Sequence, residues 1–129
     1  MLVAPDPPAP PVFDLARRPG FLIRRLHQIH VALFIAECAE FDVTPVQYSI
    51  LTAVAAQPGL DQVRLGEAVG VDRATLANVV ARLETRGLLR RRSSRSDKRL
   101  RLVMPTASGR RLLADMDQAA RRAHERTIE

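Results

Sequence analysis

Apolar residues recur at helical spacing in the middle of the chain and are followed by two short runs with strand character. Residues 61–70, DQVRLGEAVG, predict one short helix, with Asp61 placed to cap its start and Gly70 placed to end it. Asp72 can cap a second helix that ends near Gly87. Its apolar positions are Leu76, Val79, Val80 and Leu83. Two short helices joined by a tight turn predict a helix-turn-helix.

The face of the second helix opposite this apolar stripe is small and polar. It carries Arg73, Thr75 and Asn78, with Arg82 at one edge. Asn pairs well with adenine, Arg with guanine or phosphate, and Thr with a base edge or the thymine methyl. The face therefore suits a DNA major groove, although an ordinary solvated surface helix is the alternative.

A basic hairpin follows the second helix. Residues 88–92 and 100–104 have strand character, and the polar loop SSRSDKR lies between them. Between Arg90 and Arg101 there are seven Lys or Arg residues and one acidic residue, Asp97, a net charge of +6 that equals the net charge of the whole chain. The concentration of positive charge beside the second helix favours contact with an anionic partner.

Three further helices are predicted around this centre. The first runs from about Gly20 to Phe41 and carries two neighbouring apolar stripes, so we expect it to be buried on two sides. The second begins with a capping box at Thr44 and runs to about Gln57. The third runs from Thr106 to about Ile128. The stripes of the first helix are Leu22, Leu26, Ile29 and Leu33, and Ile23, His27, His30 and Phe34.

The run DRATLANVVARLETRGLLRRRSSRSDKRLRLVMPTASG resembles the winged helix-turn-helix core of the MarR family of bacterial transcriptional regulators. The resemblance includes the wing signature Asp97-Lys98-Arg99, the sequence Pro105-Thr106-x-x-Gly109, and an upstream match at residues 44–48. It implies a mainly α fold with a small β wing. It also implies one domain over residues 19–129, in which residues 19–42 and 106–129 form dimerisation helices and residues 44–104 form the winged helix-turn-helix.

The resemblance also implies roles for individual residues. Arg73, Thr75 and Asn78 would face bases, and Arg82 would face phosphates. In the wing, Arg99 would enter the minor groove, oriented by Asp97 and helped by Arg95. A structural ion pair in a solvated loop is the alternative for the wing residues.

Effector binding is expected between the dimerisation helices and the DNA-reading part, because the family places its pocket there. The residues that the resemblance brings to this pocket are His27, His30, Phe34 and Tyr48. The run VALFIAECAEFDVTPVQY is similar to regulators of aromatic-acid breakdown, which implies an aromatic carboxylate as effector. The alternatives are histidines that only pack at an interface, or a metal site with Cys38, for which two histidines without a clear third ligand are a weak signal. A buried structural role is expected for Cys38.

Composition and charge exclude several classes of protein. Residues 1–60 carry a net charge of −1 and residues 61–129 a net charge of +7, which favours nucleic acid as the partner. No apolar run approaches the roughly 18 residues of a membrane span, so we expect a cytoplasmic protein. No nucleophile elbow, phosphate-binding glycine loop or metalloprotease helix is present, so we expect no enzyme, cofactor or metal. Residues 1–18 begin with five prolines in eleven residues and predict a disordered or extended arm.

These features predict a sequence-specific DNA-binding regulator, a homodimeric repressor that a small aromatic acid releases from a pseudo-palindromic operator. A winged-helix module that binds a protein partner without reading DNA is the alternative. The substitution Arg99→Ala discriminates between them, because it weakens DNA binding only if the first prediction holds.

Overall fold

Five helices and three short strands follow one another in the computed structural model, which describes residues 3–7 and 14–129. The helices are α1 (Pro19–Glu37), α2 (Pro45–Ala56), α3 (Gln62–Val69), α4 (Arg73–Thr85) and α5 (Ala107–Thr127), and the strands are β1 (Leu60–Asp61), β2 (Leu89–Ser93) and β3 (Arg101–Pro105). Leu15–Arg17 forms a single 3-10 turn, which corrects the prediction of a wholly extended or disordered arm over residues 1–18. The part of that prediction on residues 1–2 and 8–13 lies outside the described residues.

Short polar side chains start the helices as the sequence predicts. The Asp61 carboxylate accepts a hydrogen bond from the backbone N–H of Arg64 at 3.0 Å, and Asp72 accepts one from Thr75 at 2.9 Å. Thr44 forms a complete capping box with Gln47 at the start of α2. Helix α3 ends at Gly70, whose φ of 71° is a left-handed conformation that glycine adopts at little cost. The helix-turn-helix prediction is confirmed.

The three strands form one antiparallel sheet in the order β1-β3-β2. Strands β2 and β3 each begin and end one residue later than the sequence pattern predicts, and β1 was not predicted at all. Strand β1 has only two residues, too few for a period-2 pattern, and it exists because Leu60 and Asp61 pair with Val103 and Leu102 of β3. The fold is mainly helical with a small β wing, as the resemblance implies.

Helix α1 is shorter than the sequence predicts. It ends at Glu37, and Ala39–Phe41 forms a separate 3-10 turn that leads into Asp42, which is left-handed at φ 52°. The Arg86 guanidinium supports this turn by donating to the carbonyls of Phe41 and Asp42 at 3.2 and 2.8 Å. Because Arg86 follows α4 directly, this contact ties the start of α2 to the end of α4.

The two halves of helix α1 have different surroundings within one chain. Phe34, in the second half of the helix, is fully buried in the core. In the first half, Leu22 is 49% exposed, Ile23 70% and Leu26 52%. The second half of α1 is also buried on one side only, since Ile35 is 52% exposed, and burial of the other side by a second subunit stays a prediction. A single chain leaves the first half exposed to solvent.

Thr106 joins the wing to the last helix. Its hydroxyl donates to the Gly87 carbonyl at 2.7 Å and accepts from the Gly109 N–H at 3.0 Å, so it caps α5 and holds the end of α4 at the same time. On the buried side of α5, Met116, Ala119, Ala120 and Ala123 complete the core. Across residues 3–7 and 14–129, no helix combines the length and the apolar character that a membrane crossing requires.

Candidate nucleic-acid interface and ligand pocket

The outward face of α4 presents three of the predicted base-contacting residues together. Arg73, Thr75 and Asn78 are all exposed near the start of the helix. The Thr75 hydroxyl donates to the Asp72 carboxylate at 2.9 Å. The hydrogen bonds from Thr75 lower the pKa of Asp72, so this cap stays ionised. Thr75 therefore offers a methyl group and an acceptor oxygen, but no free donor, to a base.

Arg82 lies apart from these residues, in the last turn of α4. It is exposed and lines a shallow groove with Thr44, Gln47 and Arg86, next to the start of α2. A cation at this edge of the helix suits a backbone phosphate better than a base. The phosphate contact that the resemblance implies for Arg82 stays a prediction.

Ser94 organises the loop at the tip of the wing, a role that sequence reasoning missed. Its side-chain oxygen accepts from the backbone N–H groups of Ser96 and Asp97, both at 3.3 Å. Its own N–H donates to the Leu100 carbonyl at 3.1 Å. Ser94 is 8% exposed. The loop between β2 and β3 is thus held by specific hydrogen bonds rather than being a loose solvated run.

The predicted wing pair is formed. The Arg99 guanidinium contacts Asp97 through two atoms, with Nε 3.1 Å from Oδ1 and Nη2 3.3 Å from Oδ2, and the Arg99 backbone N–H also donates to Oδ1. These hydrogen bonds lower the pKa of Asp97. The Arg99 side chain is nevertheless 91% exposed. Asp97 thus orients a solvent-facing cation, and Arg95 is exposed on the same loop.

Arg91 differs from its neighbours in the basic hairpin. Its Nη2 lies 3.0 Å from Glu84 of α4, and the side chain is 22% exposed, whereas Arg90 and Arg92 face solvent. The positive charge of the hairpin is therefore less uniform than the sequence predicts. One of its seven cations, Arg91, is paired with Glu84 of α4.

A pocket of about 480 Å³ is lined by residues of α1, α2, α3 and α5. Three of the four predicted effector residues, His30, Phe34 and Tyr48, line it, together with His124. The rings are close, with centroids 5.4 Å apart for Phe34 and Tyr48 and 5.5 Å for His30 and His124. His27 is exposed and is not among the lining residues, because it lies one turn nearer the exposed start of α1.

Sequence reasoning missed His124, although a signal was present. His124 follows Ala120 by four residues, so it lies on the same side of α5 as this buried residue, although His124 itself is exposed. What the sequence could not reveal is the partner: the parallel stacking of His124 on His30, with 15° between the ring planes, joins residues far apart in the chain.

The hydrogen bonds around His30 fix its tautomer. The Thr127 hydroxyl donates to the Ala123 carbonyl at 2.7 Å, so its oxygen can only accept from His30 Nδ1, 3.0 Å away. Neutral His30 therefore carries its proton on Nδ1 and keeps Nε2 as an acceptor. Burial, followed by the charges of His124 and His27, lowers the pKa of His30.

Cys38 lies at the end of α1 and is 1% exposed. Burial raises the pKa of its thiol, and the neighbouring Glu37 carboxylate raises it further. A neutral buried thiol is a poor nucleophile, which agrees with the structural role expected from the sequence. Within residues 3–7 and 14–129, no three His, Cys, Asp or Glu side chains are grouped to bind a metal ion.

Comparison with known proteins shows where this arrangement occurs elsewhere. A family model described as MarR family matches residues 41–100. The transcriptional regulator HosA of Escherichia coli is 45% identical over 92 residues, which cover 71% of this chain and 67% of HosA. The chain belongs to the MarR family. MarR-family members are transcriptional regulators, so this chain is a transcriptional regulator and not an enzyme.

Two solved structures of MarR-like regulators extend the comparison to the whole domain. BpsR of Bordetella bronchiseptica, whose DNA binding is regulated by 6-hydroxynicotinic acid, superposes with a TM-score of 0.81 at 32% identity, covering 87% of this chain and 80% of BpsR. The repressor CouR of Rhodococcus jostii, bound to a 23-mer DNA duplex, superposes with a TM-score of 0.81 at 30% identity, covering 89% of this chain and 81% of CouR.

Proposed function

We propose that this MarR-family regulator binds a pseudo-palindromic operator as a homodimer, with α4 in the major groove and the wing loop in the minor groove. The observation that carries the proposal is the Asp97–Arg99 pair, which holds an almost fully exposed cation at the tip of the wing. A structural ion pair would gain little at such an exposed position. A cation oriented into a narrow, electronegative minor groove would gain much more.

The exposed face of α4 supplies the base contacts in this proposal. Arg73 and Asn78 have free donor groups for a guanine and an adenine edge, and the Thr75 methyl can contact a thymine. Arg82 contacts a phosphate, and Arg95 assists Arg99 from the wing. The DNA-bound structure of the related CouR supports this assignment of the surface to DNA.

The exposed first half of α1 supports dimerisation. Leu22, Ile23 and Leu26 form an apolar surface that one chain does not cover. In the proposed dimer a second copy covers this surface, and residues 19–42 and 106–129 of the two copies form the interface. Two-fold symmetry then places the two α4 helices in major grooves about one helical turn, roughly 10 bp, apart. We expect Leu26→Glu to produce monomers in analytical ultracentrifugation. A dimer of unchanged stability would exclude this surface.

The pocket supports control by a small aromatic acid. Its volume of about 480 Å³ suits one substituted ring, and Phe34 and Tyr48 offer aromatic faces while His30 and His124 offer ring nitrogens. The related BpsR responds to 6-hydroxynicotinic acid, a molecule of this kind. We propose that such a ligand changes the distance between the two α4 helices of the dimer and so releases the operator. In this proposal the protein is a repressor that acts in the cytoplasm.

Fluorescence anisotropy tests the DNA proposal. Wild-type protein is titrated into a duplex from upstream of its own gene and into a scrambled duplex of equal length, over a series of salt concentrations. We expect at least about a thousandfold preference for the native duplex and a steep loss of affinity as salt rises. Equal and weak binding to both duplexes would contradict the proposal and favour the protein-interaction module.

Single substitutions test whether the wing contacts DNA. We expect Arg99→Ala to weaken operator binding and to lower the salt dependence by about one phosphate-equivalent contact. Arg17→Ala is the matched control, since Arg17 is an exposed arginine ahead of α1, outside the segments to which we assign DNA binding and dimerisation. Unchanged affinity for Arg99→Ala would show that the wing does not contact DNA.

A further inference from the structure

Glu84 in the last turn of α4 holds the base of the wing through a single arginine. Its Oε1 accepts from Arg91 Nη2 at 3.0 Å and Nε at 3.2 Å, and its Oε2 accepts from the Arg91 backbone N–H at 2.9 Å. One carboxylate thus fixes both the side chain and the main chain of a β2 residue. Such a two-pronged contact restrains orientation as well as distance.

The strand directs Arg91 toward α4. Alternate side chains of a strand point to opposite faces, and Leu89, which is buried, shares its face with Arg91. Arg90 and Arg92 lie on the other face and are exposed. Arg91 therefore belongs to the interior of the helix-sheet interface, although the sequence places it in an unbroken run of three arginines.

All three guanidinium nitrogens of Arg91 have partners within the chain. Two contact Glu84, and the third, Nη1, lies 3.4 Å from Oε1 of Gln62 at the start of α3. Helix α4, strand β2 and the start of helix α3 meet at this one side chain. Three of the five guanidinium N–H donors of Arg91 are therefore used within the chain, and these bonds hold the group against α4 and α3.

We infer that Glu84 is a positioning residue for DNA binding: through Arg91 it fixes the angle between α4 and the wing, so that Arg99 enters the minor groove while α4 occupies the major groove. The inference rests on the proposed function. Arg91 lies three residues before Ser94, or about 10 Å along the strand. A change of angle at this base is therefore magnified at the tip of the wing.

A positioning role and simple electrostatics predict opposite changes in operator affinity for Glu84→Gln. Glu84 is an anion beside a surface that binds polyanionic DNA, so removing its charge should strengthen binding if charge alone matters. The substitution also frees Arg91 to contact a phosphate. If Glu84 acts by positioning the wing, Glu84→Gln weakens binding in spite of the more positive surface, because the Gln amide nitrogen cannot accept from Arg91.

The test is operator affinity of Glu84→Gln in the full-length protein, measured by anisotropy with the upstream duplex. We expect affinity to fall about tenfold, within the range of coupling for residues that share one hydrogen-bond network. We also expect the salt dependence to weaken as it does for Arg99→Ala, because the same minor-groove contact is lost. Equal or tighter binding by Glu84→Gln would overturn the inference.

A double-mutant cycle separates positioning from general loosening of the fold. In an Arg99→Ala background the main minor-groove contact that Glu84 positions is absent, so Glu84→Gln should cause much less further loss than it does in wild type. Full additivity of the two losses would also overturn the inference. Arg91→Lys is the second variant: it keeps the charge but loses the two-pronged contact, and we expect the same tenfold loss even if Glu84→Gln lowers the melting temperature.

The matched control is Asp14→Asn, which removes one negative charge from an exposed residue ahead of α1, outside the segments to which we assign DNA binding and dimerisation. We expect its operator affinity to equal that of wild type.

The proposed function and the inference about Glu84 fail in different ways. If wild-type protein does not distinguish the native from the scrambled duplex, the proposed function is wrong. If wild-type protein does distinguish them but Glu84→Gln and Arg91→Lys bind as tightly as Asp14→Asn, only the inference about Glu84 is wrong.

Discussion

His30 of α1 and His124 of α5 stack with their ring centroids 5.5 Å apart and an angle of 15° between the planes. Two imidazoles at this distance cannot both carry a proton without repulsion. Thr127 holds the Nδ1 proton of His30, and Phe34 and Tyr48 supply the neighbouring aromatic surfaces. The pKa of His30 is lowered, first by burial and then by His124 and His27, so His30 favours its neutral state.

Stability should fall at acidic pH because of this pair. An unfolded histidine takes up a proton near its ordinary pKa of about 6.5, whereas folded His30 does so only at lower pH. The contribution of His30 is thus complete above about pH 7 and is lost as the pH falls through its lowered folded pKa. Urea unfolding across this range should show a weaker pH dependence for His30→Gln than for wild type. His27→Gln, which removes the smallest of the three causes of the lowered pKa of His30, should keep most of the wild-type pH dependence.

Ligand binding should depend on pH in the opposite direction. Neutral His30 presents an acceptor, Nε2, and a carboxylate also only accepts, so an aromatic acid in the pocket favours protonation of His30. We expect benzoate to bind more tightly as the pH falls from about 7.5 to about 6, with proton uptake visible by calorimetry in buffers of different ionisation enthalpy. Binding without proton uptake would show that the histidines do not contact the carboxylate.

Gly109 should not tolerate a side chain. A Cβ added there would lie 2.2 Å from the Leu88 carbonyl oxygen, which is backbone and cannot turn aside. We expect Gly109→Ala to destabilise the fold by about 1–3 kcal/mol, the usual cost of overpacking. Gly20→Ala is the matched control, since its nearest neighbour is the flexible end of Arg24 at 3.9 Å. Equal denaturation midpoints for the two variants would contradict this packing.

Cys38 should be inert in the native protein. Its burial and raised pKa leave little accessible thiolate, so we expect a thiol reagent to react slowly in buffer and rapidly in urea. Operator binding should likewise resist mild peroxide. Rapid native labelling at neutral pH would show that the end of α1 opens.

Asn78 and Arg82 should differ in what they contribute to DNA recognition. We expect Asn78→Ala to relax preference at one base position by about 1–3 kcal/mol. Arg82→Ala should weaken native and scrambled duplexes alike, because a phosphate contact carries no sequence information. A competition assay against single-base operator variants measures the difference. Identical profiles for the two variants would refute the assigned roles.

Local chemistry explains which parts of the fold could be predicted. The caps at Asp61, Asp72 and Thr44 involve residues three apart, so spacing alone reveals them. Strand β1, the His30–His124 stack and the Glu84–Arg91 contact depend on how distant elements pack, which no local period encodes. Helical spacing also grouped His27 with His30, although the two differ in burial because only the second half of α1 reaches the core.

Thr106 fixes the start of α5 to the end of α4. One hydroxyl fastens the first turn of α5 to Gly87, directly after α4, and Gly109 packs against Leu88 at the same place. The far end of α5, roughly 30 Å away for a helix of this length, carries His124 and the pocket. Under the proposed function, a ligand that displaces the pocket end would tilt α5 about this fixed point beside α4. The length of α5 would then carry a small displacement at the pocket to the helix that we propose reads DNA.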